Sequence, residues 1–171
     1  TGCGCGPSGP WDHRVMRERP GSIMAGIRIA LQATGATRAV IGVEDNKPDA
    51  VARLRERIPA DLPVTVEAVE TKYPQGAEKM LIKSLFNREV PVGGLTLDLG
   101  IAVYNVGTLA QMGDLLPRGR GLIERVVTVS GPGVFRPGNY LVPIGTPLRF
   151  LLEQTGMSEQ AGEVILGGPM M

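Results

Sequence analysis

Between residues 22 and 70, helical and strand-like patterns alternate along the chain, and this alternation constrains the fold more than any other feature. Apolar residues recur at helical spacing from Ser22 to Gly35, and a short β-branched run, TRAVIGVE (37–44), follows. A second helical pattern then precedes a second such run, PVTVEAVE (63–70). Helix, strand, helix and strand at this spacing predict an α/β fold, with right-handed crossover units on a parallel sheet.

Local signals mark the ends of these helices. Gly35 stands where a glycine would cap the C-terminus of the first helix. Asn46 and Pro48 fit the N-cap and the first turn of the second helix. The next stretch, TKYPQGAEKMLIKSLF (71–86), predicts a turn and then a helix that carries four apolar residues inward: Ala77, Met80, Leu81 and Leu85.

The pattern changes around the sequence PRGRG (117–121). Before it, an apolar strand is predicted near residues 101–104, and a short helix begins after Asn105. After it, ERVVTVSG, GPGVFRPGNYLVPIG, TPLRFLLEQTG and EVILGG predict strand, turn and strand, helix, and strand, with Thr146 capping that helix and Gly156 just past its end. We therefore predict an irregular segment over 1–21, one domain over 22–120 and a small second domain over 121–171.

Composition excludes several classes of protein. Eighteen basic and 17 acidic residues give a net charge of +1, so no single-sign field attracts nucleic acid or an anionic membrane surface. Apolar runs are interrupted well before the roughly 18 residues that a membrane span needs, and the pattern is typical of a soluble, cytoplasmic protein. Two cysteines and one histidine supply too few ligands for a four-ligand metal site, so no metal is expected.

The glycine-rich start, GCGCGPSG (2–9), has two functional interpretations, and both are weak. As a metal site it offers Cys3, Cys5 and the later His13 without a fourth ligand. As a phosphate loop it has no preceding strand and no lysine in the expected position. The residues alone favour a flexible terminal segment.

The stretch from Tyr73 to Lys79 is more informative, because a turn there leads from a strand into a helix. Backbone N–H groups at a helix start favour anions such as phosphate, and this edge of the sheet is where open α/β folds bind ligands. Glu78 and Lys79 fit hydrogen bonds to a ribose, a ring nitrogen or a phosphate. The alternative is an ordinary turn with a solvated Glu–Lys pair, and the residues alone favour that alternative.

Two other strand ends carry polar residues. Asn105 offers a donor and an acceptor to a heterocycle, and Gly107 permits close approach of the backbone; an N-cap role for Asn105 is equally supported. Asp45 fits a ribose contact or a helix cap, and the cap is favoured. Because the three turns end strands of one sheet, their polar groups are expected to converge on a binding site. With no Ser-His-Asp set, a cofactor would carry any chemistry.

Several motifs carry a resemblance to a known family. In order along the chain they are IGVEDNKPDAV, TKYPQGAEKMLI, REVPVGGL, VYNVGT, ERVVTVSG, IGTP and ILGGPMM. They resemble the C subunits of the Rnf electron-transport complex, which are similar to the flavin- and NADH-binding subunit of respiratory complex I. The resemblance runs from about Asp12 to Met171.

The resemblance implies a partial Rossmann-like flavin/NADH domain, followed by a small β-grasp domain of the soluble-ligand-binding type from about Leu122. It implies a peripheral place on the cytoplasmic face of the membrane, within an ion-translocating complex that passes electrons between NADH and ferredoxin. Other subunits of the complex would be partners, and ferredoxin would be reached through the complex. FMN and NADH would be the cofactors, with iron-sulfur clusters only outside this segment.

The resemblance also implies site residues, none of them catalytic. The cofactor-binding set is Tyr73, Gly76, Glu78, Lys79, Asn105 and Thr108, and Gly107 departs from a glutamate of the complex I relative. Gly4 and Gly6 stand where the family has glutamates. The family's glycine-rich flavin loop would lie upstream of Thr1, so this internal piece would hold half a flavin site. Two hypotheses stay open: an electron-transfer fragment, or a redox-inactive module whose β-grasp domain docks partners or a small ligand.

Overall fold

The computed structural model describes residues 10–158 and 161–167. The chain divides into two compact units, with Asp12–Gly121 in the larger and Leu122–Met171 in the smaller. The predicted boundary near residue 120 lies beside this division. Within the described ranges, no helix combines the length and the apolar character that crossing a membrane requires.

The larger unit is a mixed α/β structure. Strands β1 and β2 pair in parallel, with Ala39 opposite Val64 and Glu44 opposite Val69, which confirms the predicted parallel pairing. In chain order, the elements up to Leu115 are α1 (Pro10–Glu18), α2 (Pro20–Thr34), β1 (Ala39–Glu44), α3 (Pro48–Glu56), β2 (Val64–Val69), α4 (Glu78–Phe86) and α5 (Val106–Leu115), with a 3-10 turn at Thr96–Leu99 before α5 and another at Leu116–Arg118 after it.

Helix α2 packs closely on α5, because two glycines remove the side chains between them. A Cβ atom on Gly26 would lie 1.9 Å from the carbonyl oxygen of Leu109, and one on Gly113 would lie 2.1 Å from that of Ser22. Helix α2 ends at Gly35 in the left-handed conformation, with φ of 68°, as the sequence predicts. The largest fully buried apolar side chains of this unit include Met16, Ile23, Leu54, Leu81 and Ile82.

The prediction of an irregular segment over 1–21 is wrong from residue 10 onward, and residues 1–9 lie outside the described ranges. Residues 10–18 form α1, and α2 begins at Pro20 rather than Ser22. Val15 and Met16 anchor α1 with exposures of 1% and 0%. The prolines at 10 and 20 favoured irregular chain, but each is the first residue of a helix, where its missing N–H costs nothing.

Three predictions about helix starts and faces are also wrong. Asn46 does not cap α3; Lys47 holds the N-cap position, without a side-chain hydrogen bond to the helix. Ala77 and Met80 do not point inward, since both are exposed. Helix α4 begins only at Glu78, and its buried residues are Leu81 and Ile82.

The predicted strand near residues 101–104 is also wrong, because the structure has no strand and no ladder pairing there. A strand is defined by hydrogen bonds to a neighbour as well as by its own extended backbone. This segment faces a groove rather than another strand.

The smaller unit has an antiparallel pair and one helix. Strand β3 (Glu124–Val129) pairs with β4 (Gly138–Pro143), and α6 spans Leu148–Thr155. Gly156 follows α6 with φ of 72°, as predicted. Pro147 holds the N-cap position in place of Thr146, whose hydroxyl donates to the Pro143 carbonyl at 2.8 Å.

The predicted final strand, EVILGG, is not a strand over residues 163–167, and residue 168 lies outside the described ranges. Val164 and Ile165 are 44% and 60% exposed. Strand formation by this apolar run would require a neighbour to bond its backbone and cover its side chains.

Candidate functional site

The carboxyl edge of β1 and β2 is held together by Asp45. Because the two strands are parallel, the turns after them lie at the same edge of the sheet. Asp45 accepts hydrogen bonds from the backbone N–H of Thr71 at 3.1 Å and from its hydroxyl at 2.6 Å. The Thr71 hydroxyl holds the pKa of this carboxyl below its ordinary value. The prediction that Asp45 caps a helix is therefore wrong: Asp45 joins two turns.

Helix α1 connects the starts of two other helices. The His13 ring nitrogen Nε2 lies 2.9 Å from the carboxylate of Asp49 at the start of α3, and Arg17 Nε lies 3.1 Å from it. On the same helix, Asp12 accepts a hydrogen bond from Asn105 Nδ2 at 2.8 Å. The hydrogen bond from His13 lowers the pKa of Asp49. Sequence reasoning missed this role, because it treated the segment as irregular.

Asn105 is the N-cap of α5. Its Oδ1 accepts a hydrogen bond from the backbone N–H of Gly107 at 2.7 Å, which confirms the capping interpretation. An amide oxygen has a second lone pair and an amide nitrogen a second hydrogen, so Asn105 keeps one acceptor and one donor position beyond these bonds. Thr108 lies half-buried in the first turn of the same helix. A cofactor role for either residue stays a prediction.

The turn from Tyr73 to Lys79 presents polar groups to solvent. Tyr73 is 63% exposed and precedes a cis proline, and the side chains of Glu78 and Lys79 are exposed on the first turn of α4. Gly76 is half-buried. The first N–H groups of a helix lack partners within the helix, so they remain available to an anion.

Gln75, in the same turn, is buried with 1% exposure. Its amide nitrogen donates to the Ser84 hydroxyl at 2.7 Å, whereas its Oε1 has no hydrogen-bond partner within the described structure. Sequence reasoning did not single out this residue, because a glutamine in a turn gives no signal that it is buried.

A buried ion pair ends β1. Glu44 is 6% exposed, and the Lys47 ammonium contacts its carboxylate three residues later. Buried charges need such pairing. The only signal for this pair in the sequence is the three-residue spacing of Glu44 and Lys47 in EDNK, and we did not use it to predict the pair.

A metal site finds no support in the described ranges. They contain no group of three or more histidine, cysteine, aspartate or glutamate side chains placed to hold an ion. His13 is engaged with Asp49. Cys3 and Cys5, the other members of the weak metal hypothesis, lie outside the residues that the structure describes.

Residues 2–114 match the family model of the Nuo51 FMN-binding domain. The chain belongs to the Nuo51 FMN-binding domain family. Residues 126–171 match a second model, the SLBB domain. The family match thus covers the carboxyl edge of β1 and β2, and the SLBB match covers most of β3 and all of β4 and α6.

The resemblance to the C subunits of ion-translocating complexes is also confirmed. The chain is 40% identical to the C subunit of the Na(+)-translocating ferredoxin:NAD(+) oxidoreductase complex of Acetobacterium woodii and 42% identical to its proton-translocating counterpart from Clostridium ljungdahlii. It is 42% identical to the C subunit of the ion-translocating oxidoreductase complex of Pseudomonas aeruginosa. All of this chain aligns in each case, but it spans 39%, 37% and 22% of those proteins.

Two groups of residues in this Nuo51-type domain have the chemistry that two different parts of an FMN molecule need. A flavin ring edge needs paired donors and acceptors, which the free positions of the Asn105 amide supply. A phosphate needs N–H groups and a cation, which the first turn of α4 and Lys79 supply. The convergence of these two groups on one ligand stays a prediction.

Proposed function

We propose that this chain forms one half of a flavin and NADH site in an electron-transfer protein. That protein would be the C subunit of a membrane-associated complex that passes electrons between NADH and ferredoxin through FMN and iron-sulfur clusters. One observation carries the proposal: the family match over residues 2–114 includes both the carboxyl edge of β1 and β2, where Asp45 bonds Thr71, and the start of α5, which Asn105 caps. The larger unit would then be a partial Rossmann-like domain, and the smaller a β-grasp domain.

In this proposal the protein binds and orients, and the cofactor carries the redox chemistry. Lys79 and the first turn of α4 would hold a phosphate, with Tyr73, Gly76 and Glu78 lining the same turn. Asn105 and Thr108 would face the flavin ring. Bound FMN supplies a ring that accepts hydride and passes electrons on. No side chain of this site is required as a nucleophile. The complex would hold the chain at the cytoplasmic face of the membrane, against other subunits.

A second candidate function is a redox-inactive docking module. It is favoured by large apolar side chains that the smaller unit leaves more than half exposed: Phe135, Leu141, Ile144 and Phe150. Such side chains are typical of surfaces that another protein or a ligand covers. The SLBB match includes all four of these residues, so this function belongs to the smaller unit.

Titration of the purified chain with FMN, with and without NADH, tests the first function through flavin fluorescence. We expect saturable binding tighter than about 1 mM, which corresponds to ~4 kcal/mol. Lys79→Ala should weaken binding several-fold. Lys72→Ala is the matched control, because Lys72 is a nearby exposed lysine that pairs with Glu70.

Absence of saturable FMN binding in a folded chain would exclude the flavin half-site. The docking module would then be the remaining candidate function. Equal FMN affinities of the Lys79→Ala and Lys72→Ala variants would show that Lys79 is not part of the site, although the chain still binds flavin.

A further inference from the structure

Helix α1 supplies a second hydrogen-bond partner to the Asn105 side chain. The first partner is local: Oδ1 accepts from the backbone N–H of Gly107 at 2.7 Å, which is the N-cap bond of α5. The second partner is distant in the chain, because Nδ2 donates to the carboxylate of Asp12, in the first turn of α1, at 2.8 Å. An N-cap needs only the first of these bonds. The second bond therefore has a purpose other than capping.

The two bonds together fix the orientation of the Asn105 amide. A backbone N–H only donates and an ionised carboxylate only accepts, so the amide oxygen must face Gly107 and the amide nitrogen must face Asp12. The reversed amide would place like groups against each other on both sides. A bond to Gly107 alone would fix the oxygen and leave the amide plane able to turn about it. The bond to Asp12 removes that freedom, and it is of the stronger kind because its acceptor is charged.

Helix α1 holds the Asp12 carboxylate in place. One turn further along the helix, Val15 and Met16 are buried in the core with exposures of 1% and 0%. Next to Asp12, the His13 ring nitrogen Nε2 lies 2.9 Å from the Asp49 carboxylate of α3. Asp12 is itself half-buried. The acceptor of the Asn105 bond thus lies on a helix that is attached both to the core and to α3.

The oriented amide is exposed to solvent. Asn105 is an exposed residue, and its amide keeps one N–H and one lone pair beyond the two bonds. The imide edge of a flavin ring consists of an N–H between two carbonyl oxygens, so it needs both an acceptor and a donor. A side chain that is ordered before the ligand arrives avoids the entropy cost of ordering on binding. Asn105 meets that condition because of Asp12.

We propose that Asp12 is a positioning residue for the flavin ring. Through its bond to Nδ2, Asp12 holds the Asn105 amide in the orientation that binds the edge of the ring. In this role Asp12 acts only through Asn105 and does not contact the ligand. The inference rests on the proposed flavin function, and it adds to that site a residue of α1 that lies outside the turns at the sheet edge.

FMN titrations of the whole chain and its variants, followed by flavin fluorescence, test this role. Asp12→Ala should weaken FMN binding by about tenfold, a factor that corresponds to ~1.4 kcal/mol, because the ligand must then order the amide. Asp12→Asn should stay within about twofold of the wild type, since its amide oxygen still accepts the bond from Nδ2.

Asp49→Ala is the matched control. It removes the contact between α1 and α3 but leaves the bond between Asp12 and Asn105. Its affinity for FMN should therefore stay close to that of the wild type, even where its stability falls. A double-mutant cycle adds a second comparison: in an Asn105→Ala background, Asp12→Ala should cause no further loss of FMN affinity, because the two residues act as one unit.

A readout without flavin reports the bond itself. In heteronuclear NMR spectra of the whole chain, the side-chain amide resonances of Asn105 should move in Asp12→Ala, because one N–H loses its charged acceptor. The same resonances should stay near their wild-type positions in Asp49→Ala.

Asp12 loses this role if Asp12→Ala binds FMN as tightly as the wild type, or if its full effect persists in the Asn105→Ala background. Unmoved amide resonances of Asn105 in Asp12→Ala would overturn the role as well. Each of these results is compatible with flavin binding by the wild-type chain. Absence of saturable FMN binding in the wild type is a different result, because it overturns the proposed function and the role of Asp12 with it.

Discussion

At the scale of single residues, Asn105 shows how one side chain combines a structural and a ligand-facing position. Its oxygen caps α5 and its nitrogen bonds Asp12, yet one donor and one acceptor position remain. The sequence placed Asn105 correctly at the start of a helix, because N-caps have a strong local signature. It did not indicate Asp12 as a partner, since that contact joins residues 93 positions apart.

Substitution of Asn105 separates its two roles. Asn105→Ala should lower the free energy of unfolding by about 0.5–2 kcal/mol, the usual cost of losing an N-cap, as measured by urea unfolding. Asn105→Ser keeps a capping oxygen and should restore most of that loss. If Asn105 also bonds the flavin, both variants should weaken FMN binding by about 1–3 kcal/mol. Wild-type flavin affinity in Asn105→Ser would assign the residue to capping alone.

At the scale of elements, the sequence pattern predicted those helices and strands that depend mainly on local interactions. The strands at 37–44 and 63–70 were predicted from β-branched runs, and the structure has β1 and β2 within those ranges. Residues 101–104 are similarly apolar but form no strand in the structure, so the prediction of a strand there was wrong. Helix α1 was missed because proline and glycine around it suggested irregular chain. Pairing and packing are tertiary properties, and a single sequence carries little signal for them.

The packing of α2 on α5 provides a test at this scale. Gly26→Ala would place a Cβ atom 1.9 Å from a backbone oxygen of α5, so the two helices must move apart. We expect a loss of about 1–3 kcal/mol in the free energy of unfolding, as for other overpacked sites.

Gly21→Ala on the same helix is the control for this variant. A Cβ atom there meets nothing within 4 Å, and alanine is favoured over glycine in a helix by about 0.5–1 kcal/mol. Chemical denaturation should therefore show opposite signs for the two variants. Equal and small effects would mean that α2 and α5 are not in close contact.

At the scale of the whole molecule, the sequence predicted an α/β chain with candidate turns at the edge of a sheet. It placed Asp45 and Thr71 at the ends of neighbouring strands, but the bond between them needed the structure. The sequence likewise did not predict that Gln75 is buried or that Glu44 forms an ion pair with Lys47. These features depend on how distant segments pack, and polar residues at strand ends look alike in a sequence whether or not they are buried.

Acid should destabilise the larger unit. Four of its carboxyl groups have a pKa below the ordinary value because of hydrogen bonds from Thr71, His13, Arg28 and Lys83: Asp45, Asp49, Asp61 and Glu89. A lowered pKa in the folded state stabilises the protein above the unfolded value of about 4. That stabilisation is lost as the pH falls through the folded pKa.

Urea midpoints measured between about pH 7 and pH 3 check this expectation. The midpoint should fall below about pH 4, and Asp45→Asn should make the fall shallower. Thr71→Val, which removes only the hydroxyl donor, should have an intermediate effect. Identical pH curves for the wild type and both variants would show that Asp45 does not contribute.

The guanidinium of Arg55 has a consequence for how this sheet can grow. It occupies the Val66 carbonyl on the outer side of β2, so a strand that added there would have to displace it. Exposed edges on both sides allow strands to add without limit, which is the route to fibres. At that carbonyl, the Arg55 side chain therefore hinders a second chain from pairing with β2.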